Sequence, residues 1–128
     1  MTSLRIRTSR KDQIVDITSD VSHYLQAASD GICTVFVAHT TAAVTTADLD
    51  PGTDLDYLEA FRTVLPPMRY RHPHDPSHTP DHILASLIGP SVSVPVQSGK
   101  LVLGVWQRIV LVELDGPRER DVWVGMGS

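Results

Sequence analysis

One cysteine, Cys33, is all that 128 residues contain, which excludes an intramolecular disulfide framework and any multi-cysteine zinc site within one chain. Long apolar runs are missing too: none approaches the roughly 18 residues that a spanning helix needs. Met1-Thr2-Ser3-Leu4-Arg5-Ile6-Arg7 lacks the apolar centre of a secretory signal. Positive charge is scarce, with 11 Lys+Arg against 15 Asp+Glu, and no basic block stands out. That balance speaks against nonspecific nucleic-acid binding. There is no Gly-rich nucleotide loop after a strand, no GxSxG and no HExxH. The expectation is a cytoplasmic protein without a nucleic-acid or membrane partner. What is present suits a globular fold: 41% hydrophobic and 20% charged residues. The length fits a single domain over 1–128, enough to bury roughly two-thirds of the unfolded surface.

Periodicity predicts an α+β chain with more strand than helix. Leu4 and Ile6 alternate with Arg5 and Arg7 as in a half-wet strand, and residues 13–17 read as its hairpin partner. Thr18 offers a cap for a helix whose stripe is Val21, Tyr24, Leu25 and Ala28, with Gly31 as its stop. Residues 32–38 and 42–46 read as buried strands joined through His39-Thr40-Thr41. A second helix spans 51–65, with Asp50 as cap and Leu55, Leu58, Phe61 and Leu65 on its apolar face. A third starts at Pro80 after a Thr79 cap and ends at Ile88. Strands follow at 92–96, 101–105, 109–114 and 122–124, with turn signals at Ser98-Gly99 and Asp115-Gly116.

Four of the six histidines lie between residues 72 and 82. His72 and His74 are two apart, so an extended backbone turns both rings to one side, and Pro73 favours that conformation at His72. His78 and His82 are four apart, but Pro80 opens the helix and leaves His78 outside it. His82 falls in the first helical turn, where the dipole favours neutral imidazole. Three imidazoles would suit zinc with a fourth position open. His23 reads as structural. Glu113 closes the apolar run Ile109-Val110-Leu111-Val112, and is either at the strand's exit to solvent or aimed into a site as a base or supporting group. Thr40 and Thr41 either orient His39 or are ordinary strand-end residues. Trp106-Gln107 lines a pocket or joins the core. Arg118 and Arg120 hold a phosphate, or alternate with Glu119 and Asp121 in a solvated turn. Cys33 reads as an inert buried thiol.

In order along the chain, Val37-Ala38-His39-Thr40-Thr41-Ala42-Ala43, Tyr70-Arg71-His72, His82 to Gly89, Val94-Pro95-Val96, Gly99 to Gln107 and Glu113-Leu114-Asp115-Gly116-Pro117-Arg118 resemble the motifs of the YjbQ-like proteins, also called the secondary thiamine-phosphate synthase family. The resemblance runs from about residue 2 to residue 127. It implies a two-sheet β-sandwich with two to three helices, assembled as a homotrimer. It also implies a pocket in which His39, His72 and His82 hold a divalent metal such as zinc, with His39 and Glu113 as catalytic groups. Thr40, Thr41, Trp106, Gln107 and Arg118 would then meet a small anionic substrate. The implied activity joins a pyrimidine diphosphate to a thiazole phosphate; the alternative is a non-catalytic module that binds a metal or a small anionic metabolite. Two departures fall near this pocket: Ala47-Asp48 replaces an Asn-acidic pair, and His78 stands where an Asn is expected. His74 and His78 are further candidate ligands.

Overall fold

The computed structural model describes residues 1–71 and 75–127. In chain order the elements are β1 (Thr2–Arg7), β2 (Gln13–Asp16), α1 (Thr18–Tyr24), β3 (Gly31–Val37), β4 (Ala42–Asp48), α2 (Thr53–Val64), a 3₁₀ turn (Pro76–His78), α3 (Thr79–Ile88), β5 (Ser91–Gln97), β6 (Lys100–Leu101), β7 (Gln107–Glu113) and β8 (Glu119–Gly127). All strand pairs are antiparallel, in a five-stranded sheet ordered β1-β8-β3-β5-β6 and a three-stranded sheet ordered β2-β7-β4.

The period-two side chains explain the layering. Cys33, Val35, Val37, Val94, Val96, Val122 and Val124 of the large sheet pack against Ala42, Val44, Ile109 and Leu111 of the small one, and α1 closes this core with Val21. On its other face the small sheet turns Ala43, Val110 and Val112 toward Leu84, Ala85 and Ile88 of α3 and Phe61 of α2. The result is a sheet–sheet–helix stack: the α+β chain that the patterning predicts, in the two-sheet sandwich with helices that the family resemblance implies.

Several local expectations are corrected. β1 and β2 do not form a hairpin: β1 pairs with β8 and β2 with β7, so residues 8–12 cross from one sheet to the other. Alternation fixes which face a strand buries but not which strand it pairs with. Likewise the Asp115-Gly116 turn joins β7 to β8 across the two sheets. Gly116 is required there by close approach, since a Cβ would lie 2.2 Å from the Arg10 carbonyl oxygen. Helix α1 stops at Tyr24, short of Ala28. The β5–β6 turn competes for the segment beyond it, Gly99 N–H donating to the Ser29 carbonyl at 2.7 Å and Ser98 N–H to the Asp30 carboxylate at 2.8 Å. The strand expected at 101–105 pairs only through Leu101. Val102 N–H reaches the Pro95 carbonyl, but Pro95 has no N–H to return, and the ladder ends.

Candidate functional site

His39 sits on the crossover from β3 to β4, where the chain leaves the large sheet for the small one. The β3–β8 ladder runs out at Val37–Val122, followed by one bond from Ala38 N–H to the Asp121 carbonyl. The next donor, the Asp121 N–H, is taken by a side chain: it donates to His39 Nε2 at 2.9 Å. A ring nitrogen that accepts carries no proton, so the proton of the neutral ring is on Nδ1. Burial lowers the His39 pKa below its ordinary value. Arg120 and, least, Arg118 push the same way, while Asp121 and Glu113 oppose them without reversing the shift. Both geometry and field therefore hold His39 as neutral imidazole offering Nδ1–H.

His82 approaches from α3, the helix that packs on β4. Its Nδ1 meets the Thr40 carbonyl at 3.1 Å. A carbonyl accepts only, so Nδ1 is the donor and Nε2 the second polar atom of the ring. His39, Thr40, Ala42, His82, Ala85, Ser86 and Pro90 line one cleft of about 350 Å³. The crossover forms one wall of this cleft and α3 the other.

The remaining sequence-derived candidates are placed elsewhere or lie outside the described residues, as His72 and His74 do. Glu113 is fully buried and makes an ion pair with the equally buried Arg120. Its carboxylate also accepts from Thr8 Oγ1 at 2.7 Å, Leu114 N–H at 3.0 Å and Asp115 N–H at 3.1 Å. Burial would raise its pKa, but Arg120, Thr8 and the Asp115 amide outweigh burial and hold it below the ordinary value. Thr41 is buried; its hydroxyl and carbonyl both meet Arg120, and the carbonyl also accepts from Leu114 N–H. Arg118 is folded back on the Asp115 carbonyl and carboxylate at 2.8 and 2.9 Å. His78 lies between Asp75 and Asp115, at 3.3 and 3.7 Å. Trp106 and Gln107 line a separate cleft with Thr46, Asp48 and Tyr57. Gln107 pairs with Asp48 and Glu113 with Ala42, so that second cleft is about 20 Å of strand away from the histidines. A concavity of about 700 Å³ lies elsewhere again; among its described lining residues the charged one, Asp30, is already bonded to Ser98 N–H.

Asp121 is the residue whose part sequence reasoning missed, and Arg120, read as a phosphate holder or as one charge of a solvated turn, is instead buried against Glu113. Their signal was present: the alternation of Val122 and Val124 extends back to Arg120, placing it on the inward face of β8, with Asp121 outward beside His39.

A family profile described as UPF0047 protein YjbQ-like matches residues 2–127. This chain belongs to the UPF0047 family. It is 44% identical over 119 residues to the UPF0047 protein of Mycobacterium bovis, covering 90% of this chain and 92% of that one. A UPF0047 protein of Archaeoglobus fulgidus is 40% identical over 122 residues, covering 94% and 96%. Among solved structures, an uncharacterized YjbQ/UPF0047-family protein of Clostridium acetobutylicum superposes with a TM-score of 0.88 at 38% identity, covering 99% of this chain and 100% of that one. The histidine-bearing crossover of this UPF0047 chain therefore lies in a fold that the family shares. No helix among the described residues is long and apolar enough to cross a membrane.

The metal implied by the resemblance can be tested against the donors. An imidazole ligates through an unprotonated ring nitrogen aimed at the ion, while its other N–H is held by a carbonyl or carboxylate. His82 fits that pattern through its bond to Thr40. His39 does not: its unprotonated nitrogen is taken by the Asp121 amide, and its other nitrogen carries the proton. Among the described residues no group of three or more His, Cys, Asp or Glu side chains is arranged to hold an ion. As His39 is seated, the described donors do not fit a zinc site.

Proposed function

We propose that this UPF0047 protein binds a small anionic metabolite in the His39–His82 cleft. The observation that carries this reading is the fixed tautomer of His39. Its Nδ1–H is a neutral, preorganised donor for a carboxylate or phosphate oxygen. The 350 Å³ cleft matches the lower end of small-molecule sites. The ligand class is a compact anion with one charged group. Among the described residues no Lys or Arg lines the cleft, which argues against a diphosphate, whose departure needs concentrated positive charge. Screening carboxylated and phosphorylated metabolites by thermal shift tests the reading. A hit should raise the melting temperature of the natural chain but not of His39→Ala. No stabilisation by any member of either class would count against it.

A second reading, a metal-capable enzyme with thiamine-phosphate synthase activity, is favoured by one observation, the ligand-like orientation of His82. Glu113 supports it poorly as a proton carrier, because its oxygens are engaged by Arg120, Thr8 and two amides. Elemental analysis of chain purified without a histidine tag separates the two readings. We also propose that the chain assembles as a homotrimer. Ile32, Phe36 and Trp123 on the outer face of the large sheet are partly exposed apolar residues that a subunit contact would cover. Light scattering should return about three times the 14.0 kDa chain mass, and a clean monomer would refute it.

A further inference from the structure

The buried Glu113–Arg120 pair has no part in the reading above, and stability does not account for it. Two buried charges give up their hydration, and apolar residues of similar volume often serve a core as well or better. The bonds of this pair go instead to the backbone that carries the two imidazoles. Arg120 Nη2 donates to the Thr41 carbonyl at 3.1 Å and to Thr41 Oγ1 at 2.9 Å. Leu114 N–H reaches the same carbonyl at 3.1 Å. The preceding carbonyl, that of Thr40, holds His82 Nδ1. On the other side, the residue after Arg120 supplies the amide that fixes His39. Glu113 anchors the guanidinium through Nε at 2.9 Å and through Nη2, and is itself held by Thr8 and the 114–115 amides.

We propose that Glu113 and Arg120 form a positioning unit for the histidine cleft, clamping residues 40–41 and 120–121 so that His39 keeps one tautomer and His82 one orientation. Neither group touches the cleft; both act through backbone. This inference rests on the proposed use of the cleft, but its test does not, because the ring nitrogens are observed without any ligand.

The experiment compares ¹⁵N shifts of the histidine rings in the natural chain, Glu113→Gln and the double variant E113M/R120M. His23, in the last turn of α1, is the internal control. The natural chain should show one protonated and one unprotonated nitrogen for His39. In a folded Glu113→Gln or E113M/R120M chain that separation should narrow by roughly half as the tautomers mix, with His23 unchanged. Affinity for a metabolite hit should fall about tenfold. Folded variants whose His39 pattern is unchanged would overturn the proposal and leave the pair a purely structural one. If both variants fail to fold, the pair serves global stability and the proposal falls as well.

Discussion

The Asp121 amide donates to His39 Nε2 at 2.9 Å, and this bond settles what the imidazole can do. Protonating Nε2 would set two donors against each other, so the cationic ring is disfavoured beyond the effect of burial. In a ¹⁵N-resolved pH titration, His39 should remain neutral at pH 7 with its proton on Nδ1. Its midpoint should lie below the ordinary 6.5. A midpoint above that value would contradict the geometry.

Truncating one member of the Glu113–Arg120 pair should cost far more than replacing both. Glu113→Ala leaves a buried guanidinium without its counter-charge, a loss of about 3–5 kcal/mol in urea unfolding. The double variant E113M/R120M should recover most of that loss. Equal costs for single and double variants would mean that the pairing itself is not what matters.

Acid should destabilise the chain in two stages. The folded-state pKa of His39 is depressed, so the unfolded chain binds more protons just below pH 6.5 and stability falls as pH drops through that region. Glu113 is also depressed, but from 4.5; its contribution is complete above that value and is lost as pH falls below it. Denaturation midpoints from pH 8 to pH 3 should show both declines. Glu113→Gln should remove the lower one.

A second ionic cluster braces the helices that carry one wall of the cleft. Arg62 of α2 bonds Asp81 of α3 at 2.6 Å, contacts Asp12, and reaches the Leu114 carbonyl at 3.0 Å. Its pKa is raised, chiefly by the hydrogen bonds to Asp12, working against burial, with Asp81 adding to the rise. Lys11 also meets Asp81, at 3.0 Å, and would retain it after Arg62→Met. That substitution should therefore cost about 1.5–3 kcal/mol, the range for charged hydrogen bonds, without unfolding the chain. Retention of full stability in urea would show the cluster to be incidental.

Legibility in the sequence followed the reach of each signal. Dense runs of β-branched and apolar residues marked β3, β5 and β7 as strands, and Ser98-Gly99 marked the hairpin between β5 and β6, because both signals are local. Pairing was not legible: β1 and β2 carry suitable alternation, yet each joins a strand more than 90 residues away. Family motifs put His39 beside His82 where spacing could not. The partners that define the chemistry of His39 escaped notice because they are a main-chain amide and an arginine. A backbone donor leaves no mark in residue type, and Arg120 looked like one charge in an alternating surface run. Trp106 and Gln107 matched the same motifs as the histidines but lie at the opposite end of β7.

The central claim is that His39 is a hydrogen-bond donor to a bound anion, and histidine-ring ¹⁵N spectra recorded during titration of a thermal-shift hit test it most directly. The account predicts that the ligand shifts the His39 and His82 rings together, leaves His23 unmoved, and keeps the His39 proton on Nδ1. Stoichiometric zinc in tag-free protein with loss of that Nδ1 proton, or a ligand whose binding perturbs neither ring, would contradict it.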